Sequence, residues 1–186
     1  MRSAAKIKAG FKYHIEHLRS IDVMHAMGLS IDGLEQRGDK VVLSVEDVTN
    51  LIPTEGLNYM LGTALTGVAQ LLSWYIAIFS GNYTPVATLT AATFTANTTE
   101  STAYAETTRV AWTPGAIAGG SVDNSANKAV FTMNATTTIY GIGQLSVSTK
   151  SATTGTLISC ALFAAAKAVV ATDVLNVTST LSATSA

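Results

Sequence analysis

The chain has 186 residues, is 48% apolar and carries a formal net charge of -1 at neutral pH. That hydrophobicity excludes a disordered chain and supplies a real core, and near neutrality argues against nucleic acid or an anionic membrane as the main partner. Charge is unevenly placed: residues 56–186 hold four Lys/Arg (Arg109, Lys128, Lys150, Lys167) and four Asp/Glu (Glu100, Glu106, Asp123, Asp173), and the other fifteen lie in the first 55 residues.

A free monomer's surface usually carries about a quarter charged residues. A body solvated by Thr and Ser instead points to a surface covered by partners. The first nine residues have no apolar h-region, so they do not read as a secretory signal. With Lys6 and Lys8 they are expected to form an arm, residues 1–9, that reaches a neighbouring subunit; residues 10–186 are then one domain. The segment Gly10–His17 alternates, with Phe11, Tyr13 and Ile15 opposite Lys12, His14 and Glu16, as a half-buried strand does. A polar connection with glycines at 28, 33 and 38 leads to a second strand over Lys40–Val48. Between them, Ile21–Leu34 fits a short helix, a hairpin or an arm.

Thr54 is placed to cap a helix starting near Glu55. Leu57, Met60, Leu61, Ala64, Leu65 and Val68 recur at helical spacing on one face, which gives one helix near residues 55–68. The run Leu71–Phe79 is rich in aromatic and β-branched residues and reads as a central strand. Trp74 lies in it and is expected to be fully buried, so that Trp74→Ala costs about 3–5 kcal/mol. The uncharged stretch Leu57–Phe79 is long enough to span a membrane, but Asn58, Thr63, Thr66, Gln70 and Ser73 are spread through it, and no Lys or Arg flanks it closely.

Beyond it, strand-like runs cover Thr102–Trp112, Lys128–Met133, Thr137–Ser148, Gly155–Phe163, Lys167–Ala171 and Asp173–Ala183. Turn clusters such as Thr113-Pro114-Gly115 and Asp123-Asn124-Ser125 separate most of them. Many short strands at this spacing give an all-β fold: an antiparallel β-sandwich, of which a jelly roll is one arrangement.

The raw material for catalysis is thin. His14 and His17 on one strand point to opposite faces, and His25 follows; with no cysteine nearby they do not form a zinc set. The single cysteine, Cys160, excludes an intrachain disulfide and reads as a small buried residue. Ser125-Ala126-Asn127-Lys128 matches Ser-x-x-Lys but sits in a turn without its companion motifs. Glu100 and Glu106 read as ordinary solvated carboxylates. Trp74 and Trp112 are of the type that stacks sugars or bases, but such residues more often anchor the core of a sandwich. No catalytic, cofactor-binding or metal-binding residue is assigned, and no enzyme activity is expected.

Several segments in order carry a resemblance. They are Asn50–Leu61, Trp74–Phe79, Gly81–Pro85, Thr102–Tyr104 with Thr108–Gly115, Lys128–Phe131, Thr153–Leu157 and Asp173–Thr178. Together, over roughly residues 40–183, they resemble a family of small virion proteins of tailed bacteriophages. The resemblance implies a capsid decoration or cement protein on the outer capsid surface. Its partners would be the major capsid protein and copies of itself, as a homodimer or homotrimer. The alternative it leaves is a tail- or fibre-associated protein acting in host attachment.

Overall fold

The computed structural model describes residues 7–185, and alternation in its first strand sets the pattern of the whole. Strand β1 (Ile7–Ser20) buries Phe11, Tyr13 and Ile15 on one face. The last strand, β10 (Val174–Ser185), runs antiparallel to it from Ile7 opposite Ser185 to Leu18 opposite Val174. Leu175, Val177 and Ser179 of β10 point to the same interior. A side-chain period of two gives both strands one wet and one dry face. The other edge of β1 takes β3 (Lys40–Thr49), with a register shift between His17 and Leu18. The two-residue β2 (Gln36–Arg37) pairs with the start of β3. The far edge of β10 is shared by β6 (Ser121–Asp123) and β7 (Ala129–Thr132).

The second sheet runs in the order β5 (Val110–Trp112), β4 (Trp74–Phe79), β8 (Thr137–Leu145) and β9 (Leu157–Val169), all antiparallel. The fold is therefore an all-β antiparallel sandwich, with the first sheet curled into a half-barrel. Tyr13, Ile15, Ile76, Ile78, Phe131 and Ile142 form the centre of the layer between the sheets. A second apolar layer lies on the outer face of the second sheet. There Phe79 and Leu145 meet Phe94 of a helix, α3 (Ala91–Thr98), and the Phe79 and Phe94 rings stand edge to face at 6.1 Å. Gly141 and Gly143 of β8 make room for these rings: a Cβ on Gly143 would stand 2.6 Å from Phe94 Cε2.

Several elements differ from the reading of the sequence. Strand β1 starts at Ile7, so Ile7–Ala9 belong to the sheet; the rest of the expected arm, residues 1–6, lies outside the described residues. The ambiguous Ile21–Leu34 opens with a short helix, α1 (Ile21–Ala26). The expected helix near 55–68 is α2 (Thr54–Leu61) followed by a π turn over Gly62–Thr66. Helix α3 went unpredicted, because its Ala-Ala-Thr-Phe-Thr-Ala-Asn-Thr run offers one large apolar residue and no stripe. Thr90 and Thr93 start it with a reciprocal cap. The strand expected over Thr102–Trp112 shrinks to β5, because the chain leaves the sheet to carry Arg109 into the interior. The runs Gly155–Phe163 and Lys167–Ala171 join into the single strand β9, broken by a bulge opposite Tyr140. No helix among the described residues is long and apolar enough to cross a membrane.

Trp74 is only half-buried, at the exposed end of β4, so the expectation of full burial fails. Phe131, by contrast, is 0% exposed in the layer between the sheets. Phe131→Ala is expected to cost about 3–5 kcal/mol and Trp74→Ala distinctly less, read as the shift in chemical-denaturation midpoint. Equal losses would contradict the burial difference.

Candidate interaction surface

The helix α2 is fixed to the second sheet by two neighbouring residues. Glu55 Oε2 accepts hydrogen bonds from Ala91 N at 2.8 Å and Leu157 N at 2.7 Å, tying α2 to α3 and β9. Gly56 then lies flat on β9: a Cβ there would stand 2.7 Å from the Ile158 carbonyl oxygen. With Gly56 facing inward, Leu57 and Leu61 must face outward, since they lie about 100° and 140° around the helix from it. They are 42% and 56% exposed, and Leu65 in the π turn is 76% exposed. The sequence located the helix, but its leucine stripe faces solvent and not the core.

The chain then doubles back. Gly67 adopts φ 74°, the left-handed conformation that ends a helix, and Val68 N donates to Gly62 O at 3.1 Å. Leu71 N donates to Tyr59 Oη at 2.7 Å, which ties the return segment to α2. Leu72, 89% exposed, follows, and the chain enters β4 at Trp74. The Tyr59 and Trp74 rings meet edge to face at 5.4 Å. Trp112 stands opposite Trp74 in the β4–β5 register, its ring fixed by a bond from Nε1 to Ser179 O at 3.1 Å. Two open grooves result. One runs between α2 and the sheet, floored by Met60, Trp74, Ile158 and Leu181; the other lies between Leu72, Trp112, Pro114 and Ile117. Ile117 is 79% exposed.

This face carries no charge. Residues 56–99 and 110–122 contain no Asp, Glu, Lys or Arg. The eight charged residues from position 56 onward are spent elsewhere: Glu100, Arg109, Lys167 and Asp173 are buried, and Glu106, Asp123, Lys128 and Lys150 are half-buried. Not one of them stands free in solvent. Large apolar side chains this exposed, Leu65, Leu72 and Ile117 above all, mark a candidate contact surface.

The buried charges are structural. Arg109 Nε and Nη2 bind Glu100 at 2.8 and 2.7 Å, both side chains being wholly buried, and Arg109 also donates to Val147 O and Ala152 O. Thr95 Oγ1 and Ser151 N complete the Glu100 carboxylate. Glu100 is thus not the solvated side chain that the sequence implied, and Glu106 accepts from Thr132 N. A second cluster joins His17 Nε2, Arg19 and Val170 N on Asp173. Burial pushes the Asp173 carboxyl up, but the bonds from Arg19 and His17 more than offset this and hold it below the ordinary carboxylate range. Among the described residues, the three non-glycine residues with positive φ adjoin these carboxylates: Thr99 precedes Glu100, Ser151 donates to it, and Thr172 precedes Asp173. Filling a buried carboxylate's valences thus overrides local backbone preference.

On the outer face of the first sheet, Glu16 binds Arg37 at 2.6 Å and Lys128 at 2.8 Å. Burial alone would raise its carboxyl; the two cations more than offset that and hold it at about 2. His14 joins Asp47 at 2.8 Å on this face, His17 lies in the Asp173 cluster, and His25 is exposed on α1. The three histidines do not converge, and no group of three metal-binding side chains occurs among the described residues. Lys128 of the Ser-x-x-Lys match is the partner of Glu16. Cys160 is buried, and its thiol is pushed up by desolvation.

A scan against protein-family models and a search of the curated proteins find no match to this chain.

Three outcomes follow from this geometry. Arg109→Met alone leaves Glu100 buried without its counter-ion and is expected to cost about 3–5 kcal/mol in a thermal or urea melt, whereas pairing it with Glu100→Leu recovers much of that loss. Gly56→Ala must push α2 off the β9 backbone and is expected to cost about 1–3 kcal/mol. Because the folded pKa of Glu16 is lowered, its contribution is complete above the ordinary 4.5 and fades as pH falls toward about 2. The urea midpoint of Glu16→Gln should therefore change less than the parent's across that window.

Proposed function

We propose that this chain is a structural subunit of a tailed-bacteriophage virion, a decoration or cement protein that binds the outer face of the capsid shell. The observation that carries the reading is the uncharged apolar face around Trp74, on a body whose charges are all paired or partly buried. Such a face suits lasting contact with other protein surfaces, where desolvating a charge would be costly. The ordered resemblance of its segments to small phage virion proteins supports the same conclusion. On this reading, the protein bridges neighbouring major capsid protein subunits through buried apolar area and holds them against internal pressure. The ionisable clusters contribute rigidity to the subunit and leave it without a catalytic role.

One observation favours a tail-associated protein acting in host attachment: the open groove beside Trp112, whose neutral aromatic wall suits a sugar ring. Copy number separates the two. Quantitative mass spectrometry of purified virions should find the chain at hundreds of copies, comparable with the capsid protein. A count of about three to a dozen would overturn the capsid assignment in favour of the tail, and absence from virions would overturn both.

A further inference from the structure

We infer that Lys128 and Asn176 join in a spontaneous isopeptide bond guided by Glu16, so that the folded chain cross-links itself. The inference is independent of the virion reading. Glu16 on β1 and Asn176 on β10 are direct cross-strand partners, so their side chains leave the same outer face of the first sheet. Lys128 stands just before β7, on the other side of β10, where Val130 is the partner of Asn176. To reach β1 its side chain must cross β10, over two strand spacings of about 4.8 Å each. It does so beside Asn176: Glu16 Oε2 accepts from Lys128 Nζ at 2.8 Å and from Asn176 Nδ2 at 3.4 Å. One carboxylate oxygen therefore holds the amine and the amide nitrogens within about 6 Å of each other. The flexible four-carbon stem of a lysine covers what remains.

The chemistry is amide exchange. The neutral amine attacks Asn176 Cγ; the Nζ–Cγ bond forms, the Cγ–Nδ2 bond breaks, and Nδ2 leaves as ammonia. One proton passes from Nζ to Glu16 Oε2 and on to the departing Nδ2, so Glu16 ends as it began and nothing is oxidised or reduced. Oε2 suits that relay because it already bonds both nitrogens. Arg37 Nη1, 2.6 Å from Oε1, holds the carboxylate in place, with Glu35 behind it on the guanidinium. The other titratable neighbour is His14, 3.8 Å from Oε1 and itself bonded to Asp47. The Glu16 side chain is 4% exposed, which limits competition from water at the shared oxygen. An amide in solution resists an amine; fixing the pair side by side supplies the missing effective concentration. The bond ties β7 to β10 and encloses β8 and β9 in a covalent ring, a brace against unfolding. It is a single self-modification, without turnover.

The test takes the full chain from cell-free synthesis, holds it at neutral and at alkaline pH, and follows the intact mass. The expected result is a protein lighter by one ammonia, whose digest contains a branched peptide joining Lys128 to Asn176. The rate should rise about tenfold per pH unit between pH 7 and 9, as the neutral amine becomes more abundant. Lys128→Arg keeps a cation on Glu16, and Asn176→Thr keeps a small polar strand-former in β10, so both should fold by circular dichroism. Both should retain the mass of their sequences. Glu16→Gln should slow the reaction about 100-fold or more. A parent that still has the mass of its sequence after days at alkaline pH overturns the inference. An ammonia loss that survives Lys128→Arg marks ring closure at an asparagine and also overturns it, as does a Glu16→Gln variant that reacts as fast as the parent.

Discussion

The outward face of α2 is decided by how its first turn meets β9. Glu55 closes two backbone donors from different elements with one carboxylate oxygen, and Gly56 lets the helix backbone reach the Ile158 carbonyl. Once those two residues are seated, helical geometry turns Leu57 and Leu61 to solvent. The π turn, the left-handed Gly67 and the bond from Leu71 N to Tyr59 Oη then return the chain to Trp74. The exposed leucines, the half-buried tryptophan and the grooves between them are all consequences of that one docking.

The polar groups of the sandwich follow a complementary logic. A chain with few charges ordinarily holds them at the surface, yet four of the eight beyond position 55 are buried. Buried ions are costly unless every valence is filled. Glu100 and Asp173 meet that condition with arginines and backbone donors, and the left-handed Thr99, Ser151 and Thr172 adjoin them. A Tyr13–Ser159 hydrogen bond and a Ser179–Gln144 bond of 2.8 Å cross the core without any charge. These links pin loops and sheets together without adding charge to the surface of residues 56–99 and 110–122.

Much of the fold was legible because strand alternation is a strong signal. Phe11, Tyr13 and Ile15 in β1 and Leu175, Val177 and Ser179 in β10 face inward as their spacing implied. What stayed hidden depends on contacts between distant residues. No local pattern shows that Arg109 will leave a strand to meet Glu100, or that Thr90 and Thr93 will cap a helix with Phe94 as its only large apolar side chain. The interaction surface was half legible. The lack of charge from 56 to 99 was plain, and it pointed to a covered surface. Helical spacing placed the leucines on one face but not which way that face points, and apolar periodicity is ordinarily buried. Gly56 beside Leu57 was the available sign to the contrary, since a glycine in a first turn marks a close approach on the opposite face.

Amide hydrogen exchange, compared between the free protein and the protein in purified virions, tests most directly whether this face is an assembly contact. The exposed segments 67–73 and 113–117 should exchange fast in the free protein and slow markedly in the virion. The amides of β3, on the edge away from this face, should not change. Protection that appears along β3, or exchange in 67–73 that is unaffected in the virion, would contradict the account.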